Sequence, residues 1–181
     1  DLRVKPGVFN PDPNSTNSTS IVLSHLSNFE DQDVLNIGCG SGAISIFCAL
    51  NGARKVVAVD DDEAARNNTK ENAIRNKVEN KVEIIKSDLF ENITGSFDCI
   101  VGNLPISDKH WNLKLSTIDL LKKFISECPK HIRENGKVYA VWCSISDVSP
   151  IKKFLISKGY KFIEIVEKKL GYNWYLFIIT F

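Results

Sequence analysis

Val34-Leu35-Asn36-Ile37-Gly38-Cys39-Gly40-Ser41-Gly42 reads as a buried strand that empties into a glycine turn, and Ala43 to Leu50 reads as the helix which that turn opens. Glycine suits such a turn because the backbone must take positive φ angles and let a ligand come closer than a Cβ allows. The N–H groups at the start of the helix can meet an anionic group such as a carboxylate. Ala43 makes the same stretch a G-x-G-x-x-A, a pattern that dinucleotide-binding folds also use. A tight turn with no ligand is the plain structural alternative.

Outward from this turn, short β-rich runs alternate with helical patterns. Asp33 to Ile37 is a strand, Ala43 to Leu50 a helix closed by Asn51-Gly52, Lys55 to Asp60 a strand, Glu63 to Asn76 a helix, and Lys81 to Lys86 and Phe97 to Gly102 are strands. The pattern continues with a helix from Leu115 to Arg133, a strand from Lys137 to Cys143 and a helix from Asp147 to Lys158. Such alternation implies parallel strands joined by helical crossovers. The last two β-rich runs, Tyr160 to Val166 and Trp174 to Phe181, are separated by seven residues, too few for a crossover helix. The final strand is therefore expected to run antiparallel. Upstream of the sheet, residues 1–20 are rich in Pro, Asn, Ser and Thr, and a helix is expected from Ser20 to Phe29.

A chain of 181 residues accommodates one domain: a leading segment and helix over residues 1–30 and an α/β core over residues 31–181. With 23 basic and 22 acidic side chains the net charge is +1, so no bulk field holds it to nucleic acid or an anionic membrane. The lysine pairs at 122–123, 152–153 and 168–169 read as solvated faces. The five cysteines, Cys39, Cys48, Cys99, Cys128 and Cys143, lie mainly in apolar runs without a CxxC pair and read as reduced core residues. No signal peptide, membrane span or metal-ligand set is visible, so the expected location is the cytoplasm and the expected state a monomer or weak dimer.

Asp60 ends the second strand 20 residues beyond Gly40 (60 − 40), where a carboxylate can accept hydrogen bonds from both hydroxyls of a ribose. Nicotinamide proteins and S-adenosylmethionine proteins both place an acid there. Asp61 and Asp62 suit the cap of the next helix, and Asp61 is also a candidate cofactor contact. Ser87-Asp88-Leu89-Phe90 and Gly102-Asn103-Leu104-Pro105-Ile106 follow the third and fourth strands, at the sheet edge where open α/β folds bind ligands.

These segments, in this order and spacing, resemble the class I methyltransferases, and most closely the methyltransferase small domain group. That group holds glutamine methyltransferases of peptide release factors, rRNA guanine methyltransferases and relatives of the ribosomal-protein methyltransferase. The resemblance covers roughly Asp33 to Pro105. It implies S-adenosyl-L-methionine as cofactor, a protein or RNA nitrogen as methyl acceptor, and a sheet in the order 3-2-1-4-5-7-6 with strand 7 antiparallel and helices on both faces. The implied cofactor contacts are Asn36, Gly38, Cys39, Gly40, Gly42, Asp60, Asp61, Asp88, Leu89 and Asn103. Leu104 and Pro105 are the implied substrate contacts, and His110 and Trp111 in the next loop are further candidates to cover the substrate, with a local packing anchor as the alternative for Trp111. The leading segment resembles one that closes over the cofactor in that group.

Two departures stand out. Asn36 replaces the group's usual acid, which removes a charge near the cofactor's ammonium, and Leu104 and Ile106 replace a proline and an aromatic residue. Asn103 also has a physical case of its own. An Asn oxygen and a nearby backbone carbonyl, that of Leu104, can accept two hydrogen bonds from a planar NH2 group and align its nitrogen with a methyl donor. A turn that ends a strand is the alternative reading. A nicotinamide-dependent oxidoreductase and a non-catalytic module of the same fold remain rival readings at this point.

Overall fold

The computed structural model describes residues 1–107 and 114–181. Seven strands form one sheet in the order β3-β2-β1-β4-β5-β7-β6. In chain order the elements are α1 (Ser18–His25), β1 (Asp33–Ile37), α2 (Ala43–Leu50), β2 (Lys55–Asp60), α3 (Glu63–Arg75), β3 (Val82–Lys86), β4 (Phe97–Gly102), α4 (Thr117–Glu127), β5 (Ile132–Cys143), α5 (Ser149–Ser157), β6 (Lys161–Lys169) and β7 (Tyr172–Thr180). β1 pairs in parallel with β2 and β4, β2 with β3, and β4 with β5. β7 is antiparallel to both β5 and β6.

Strand alternation divides the core into two layers. Val34, Val56, Ala58, Cys99, Val101 and Val141 face one side, where Ile21 and Val22 of α1, Ile44 and Cys48 of α2 and Ala73 of α3 cover them. Leu35, Ile37, Val57, Val59, Ile100, Val138 and Trp142 face the other, under Leu121, Phe124 and Ile125 of α4 and Ile151 and Leu155 of α5. Each valine, leucine, isoleucine or phenylalanine among them, taken fully from water, contributes roughly 1.5–3 kcal/mol. All five cysteines are buried free thiols within these layers.

The inward face of α3 is unlike the others: its buried residues are Ala65, Asn68, Thr69, Asn72 and Ala73. It satisfies its buried amides by bonding backbone from elsewhere in the chain.

Several element ends differ from the sequence expectation, each for a local reason. α4 stops at Glu127 and passes through a 3-10 turn, Cys128–Lys130, because Pro129 has no N–H and its ring opposes the preceding turn. β5 then starts at Ile132, before the regular run from Lys137. Phe97 pairs with Ile132 and Cys99 with Lys137, so the intervening β5 residues bulge outward. Asn135 turns the bulge with φ 64°, and a Cβ on Gly136 would lie 2.7 Å from Ile132. The hairpin is tighter than seven linking residues suggested. Pairing runs to Lys169 and Tyr172, leaving only Leu170 and Gly171 at φ 55° and 79° in the turn. Two left-handed residues match the twist of the flanking strands. α1 begins at Ser18 and ends at His25, two residues ahead of the expected start and four short of the expected end.

Candidate active site

Four strand ends and the leading segment enclose a cavity of about 930 Å³. Its walls are the glycine turn (Gly38 to Ser41), Asp60 and Asp61 after β2, Ser87 to Leu89 after β3, and Asn103 to Ser107 after β4. That volume lies near the upper end of the range for small-molecule sites. It leaves room for an acceptor group beside a nucleoside-sized ligand.

The turn is shaped by its neighbours. The Val59 carbonyl accepts from both Gly38 N and Cys39 N at 2.8 Å, and Gly38 sits at φ +73°. A Cβ there would reach Leu104 Cδ2 at 3.2 Å, so glycine lets the turn after β1 lie against the segment after β4. Gly42 (φ +85°) does not line the cavity; its Cα faces α3, and a Cβ would crowd Thr69 at 3.1 Å. The role expected for it as a cofactor contact is replaced by close helix packing. Cys39 does line the cavity, but burial pushes its thiol up to about 12, so it is a neutral wall group.

Asn36 is turned away from the cavity. Its Oδ1 accepts from Ser45 Oγ at 2.9 Å and its Nδ2 donates to the Val101 carbonyl at 3.4 Å, all beneath α2. The cofactor contact expected of Asn36 is therefore corrected: a fully buried side chain beside an Ser hydroxyl and a backbone carbonyl is satisfied as a neutral amide, where a carboxylate would be uncompensated.

Asp60 stands at the cavity wall with both oxygens engaged. Oδ2 accepts from Gly40 N at 2.9 Å and Oδ1 from Asp62 N at 3.1 Å. Burial raises its carboxyl above the ordinary range, opposed by those two N–H groups. A carboxylate has about four acceptor positions, so capacity for ribose hydroxyls remains. Asp62, not Asp61, caps α3 by accepting from Ala64 N at 2.9 Å. Asp61 lines the cavity, as do Asp88 and Leu89. Asp88 pairs with Lys114 at 3.1 Å, and Leu89 is buried at φ 48°.

Asn103 is half-buried, and its Nδ2 donates to Thr19 Oγ1 of α1 at 3.1 Å. That bond fixes the plane of the amide and keeps its oxygen as the acceptor the side chain offers. Leu104 is buried beside Gly38, Pro105 lines the wall, and Ile106 packs against both core layers. His110 and Trp111 lie outside the described residues.

Several wall residues carry no signal in a local motif. Thr16, Ser18 and Thr19 reach the cavity from the leading segment, and Ile145, Leu170, Tyr172 and Trp174 reach it from beyond β5 and from the hairpin. Ser144 ties the segment after β5 to the hairpin, its N–H donating to Asn173 O and its Oγ accepting from Asn173 N, both at 2.9 Å. Asn17 Nδ2 donates to Glu167 Oε2 at 2.8 Å and links the hairpin to the leading segment.

The family model of the methyltransferase small domain matches residues 1–175. A Methanocaldococcus jannaschii protein with the provisional name protein N5-glutamine methyltransferase is 33% identical over 172 residues, 88% of this chain and 84% of that protein. A ribosomal protein L11 methyltransferase of Thermosipho melanesiensis is 32% identical over 181 residues; the chain spans 61% of its length. Among solved structures, a ribosomal protein L11 methylase of Lactobacillus delbrueckii superposes with a TM-score of 0.76 at 20% identity, covering 97% of this chain and 83% of that one. A Synechocystis magnesium protoporphyrin IX methyltransferase with bound S-adenosylmethionine gives 0.71 at 18% identity, covering 90% and 78%. At such identities the structural likenesses are of fold.

Proposed function

The chain belongs to the methyltransferase small domain family and is a methyltransferase; from that membership we propose that it binds S-adenosylmethionine and methylates a planar nitrogen of a protein substrate. The observation that carries this reading is the meeting of the glycine turn, Asp60, Ser87 to Leu89 and an Asn103 amide oriented by Thr19 around one cavity.

The wall fits the cofactor. Gly38 and Gly40, at positive φ, leave the turn without side chains over the slot, and Asp60 has acceptor capacity for ribose hydroxyls. Asp61 adds negative charge suited to a cationic ligand, while Asp88 is paired with Lys114. When bound, S-adenosylmethionine supplies a methyl group already activated on a sulfonium. What the protein adds is alignment. The Asn103 oxygen and the Leu104 carbonyl accept the two hydrogens of an NH2 group, which directs its lone pair toward the donor and asks for no strong base. Leu104, Pro105 and Ile106 exclude water from the acceptor.

A protein acceptor is favoured over RNA by the apolar groups Ile145, Leu170, Tyr172 and Trp174 on the cavity wall, where Lys114 and Lys123 are the two basic side chains among the described lining residues and Lys114 is paired with Asp88. The names of the two relatives, both protein methyltransferases, point the same way.

Calorimetry with S-adenosylhomocysteine and with NAD is the first test, and the expected result is binding of the former alone. Methyl transfer from labelled S-adenosylmethionine into a ribosome-rich extract follows, with label expected in protein. Asn103→Ala should keep cofactor affinity and lower turnover by about a hundredfold, as a misplacement of about 1 Å does. Tight cofactor binding with no labelled product would support a non-catalytic module, and label in RNA would overturn the protein acceptor.

A further inference from the structure

Asn68, Asn72 and Asn76 recur every four residues along α3 and its C-cap, so they stand on one face of the helix. Each meets the backbone of the leading segment. Asn76 Oδ1 accepts from Asp1 N at 3.0 Å and its Nδ2 donates to Asp1 O at 2.8 Å. Asn72 Oδ1 accepts from Arg3 N at 2.9 Å and its Nδ2 donates to Arg3 O at 2.9 Å. Asn68 Oδ1 accepts from Lys5 N at 3.0 Å and its Nδ2 donates to Arg3 O at 2.8 Å. Four helical residues rise about 6 Å and two extended residues roughly 6.7 Å, so a helix with Asn at every fourth position matches every second residue of an extended chain. The three amides act as the neighbouring strand that this segment lacks.

The same helix holds the glycine turn. Thr69 Oγ1 donates to Gly40 O at 3.0 Å, and Asn72 Nδ2 donates to Ser41 O at 2.9 Å as well as to Arg3 O. Asn72, which is 1% exposed, thus bonds both the leading segment and the glycine turn. Only Pro6 separates Lys5, the last residue so held, from Gly7, the first of the leading segment to wall the cavity.

We propose that Asn68, Asn72 and Asn76 form a latch that holds the leading segment closed over the cofactor slot, and that Asn72 is a positioning residue linking latch closure to the shape of the glycine turn. This rests on the reading of the cavity as a cofactor site. With the latch docked, residues 7–19 stand as a wall and the Ser41 carbonyl is pinned; with it released, both are free. Latch closure and cofactor binding then favour each other by the same factor, as linkage requires.

The test uses the full chain with S-adenosylhomocysteine as probe, measuring affinity by calorimetry and amide exchange at Arg3 and Lys5. Arg3→Pro removes one N–H of an exposed residue and nothing from the core, and it should weaken binding roughly three- to tenfold. Arg3→Ala leaves the backbone bonds in place and should bind as wild type. Asn72→Ala should weaken binding at least as much as Arg3→Pro, and Asn76→Ala, which touches no cavity residue, should weaken it too. In the wild type, saturating probe should slow exchange at both amides by the factor that Arg3→Pro costs in affinity. Should Asn72→Ala fail to fold, Arg3→Pro and the exchange measurement decide. A wild type that binds the probe while Arg3→Pro and Asn76→Ala bind equally well, or while exchange at Arg3 and Lys5 is unmoved, overturns the latch alone. A wild type that does not bind overturns the cofactor reading, and the latch with it.

Discussion

At the residue scale, Asp60 combines two tasks: its oxygens hold Gly40 N and Asp62 N, and the same carboxylate faces the slot. Asp60→Ala should therefore weaken S-adenosylhomocysteine by about ten- to a hundredfold, the worth of charge-assisted hydrogen bonds, and also loosen the turn. The pH dependence separates this residue from an exposed acid. Burial sets its carboxyl above 3.8, so on acidification it takes up a proton sooner than an ordinary aspartate does. Because the folded-state value is raised, protonation adds to stability relative to the unfolded chain, while ligand binding loses an ionised acceptor. Affinity measured by calorimetry should thus fall with decreasing pH while this group's own contribution to the stability of the fold rises, and Asp60→Asn should flatten that limb. An affinity that holds constant down to 3.8 would remove Asp60 from the binding site. The neighbouring Asn36 shows the opposite case, a residue whose position in a motif suggested a ligand contact and whose burial beneath α2 gives it a packing role.

At the element scale, the junction of β4 with α4 decides where Asn103 sits. Gly102 ends β4 directly under Phe124, and a Cβ there would lie 2.6 Å from Cζ of a ring with no exposure. Gly102→Ala should destabilise the protein by roughly 1–3 kcal/mol through overpacking, read as a lower midpoint in urea denaturation with an unchanged m-value. It should also reduce methyl transfer, since relief of the clash by a shift of the β4 end moves Asn103 away from Thr19. An alanine variant as stable as the wild type would mean that α4 yields freely at Phe124. The same scale explains which element ends were legible. Asp33 to Ile37, Ala43 to Leu50, Lys55 to Asp60 and Phe97 to Gly102 coincide with their sequence patterns, because a short apolar run bounded by polar or turn residues leaves little choice of ends. The end of α4 was misplaced at Arg133 although Pro129 carried the local signal that stops the helix at Glu127. The bulge in β5 and the two-residue hairpin turn at Leu170-Gly171 were not legible, because a leucine at φ 55° costs about 1–2 kcal/mol against local preference and is held by the strand pairing on either side.

At the scale of the whole molecule, the N-terminal ends of three central strands are joined by charge. Asp33 accepts from Arg54 and from Arg133, Arg133 also reaches Asp98, and the Asp33 N–H donates to Asp98 Oδ2 at 2.8 Å. The Arg54 guanidinium, aided by that of Arg133, holds the Asp33 carboxyl below the ordinary 3.8. A lowered folded-state value gives stability that is present above the unfolded value and lost as pH falls through the folded one. Asp33→Asn should therefore melt a few degrees below wild type near neutrality, with the gap closing as the pH drops below 3.8. Thermal melts across that range provide the check, and a gap that persists in acid would assign the effect to packing. This network lies at the far edge of the sheet from the cavity, so cofactor affinity should be unchanged in the same variant.

From the sequence alone came the strand and helix alternation, the sheet order implied by family resemblance, and the residues after β1, β2, β3 and β4 that line the cavity. These are local: a strand end, a glycine turn and an acid at a strand tip declare themselves within ten residues. Tertiary structure decided which of those side chains turn inward. It placed Asn36 and Gly42 against helices, set Thr19 on Asn103 across 84 residues, and brought the leading segment and the hairpin side by side at one cavity. The spacing of Asn68, Asn72 and Asn76 was in plain view, yet on a helix it marks only a shared face. Its partner is an extended segment more than 60 residues away, and only packing brings the two within hydrogen-bond reach.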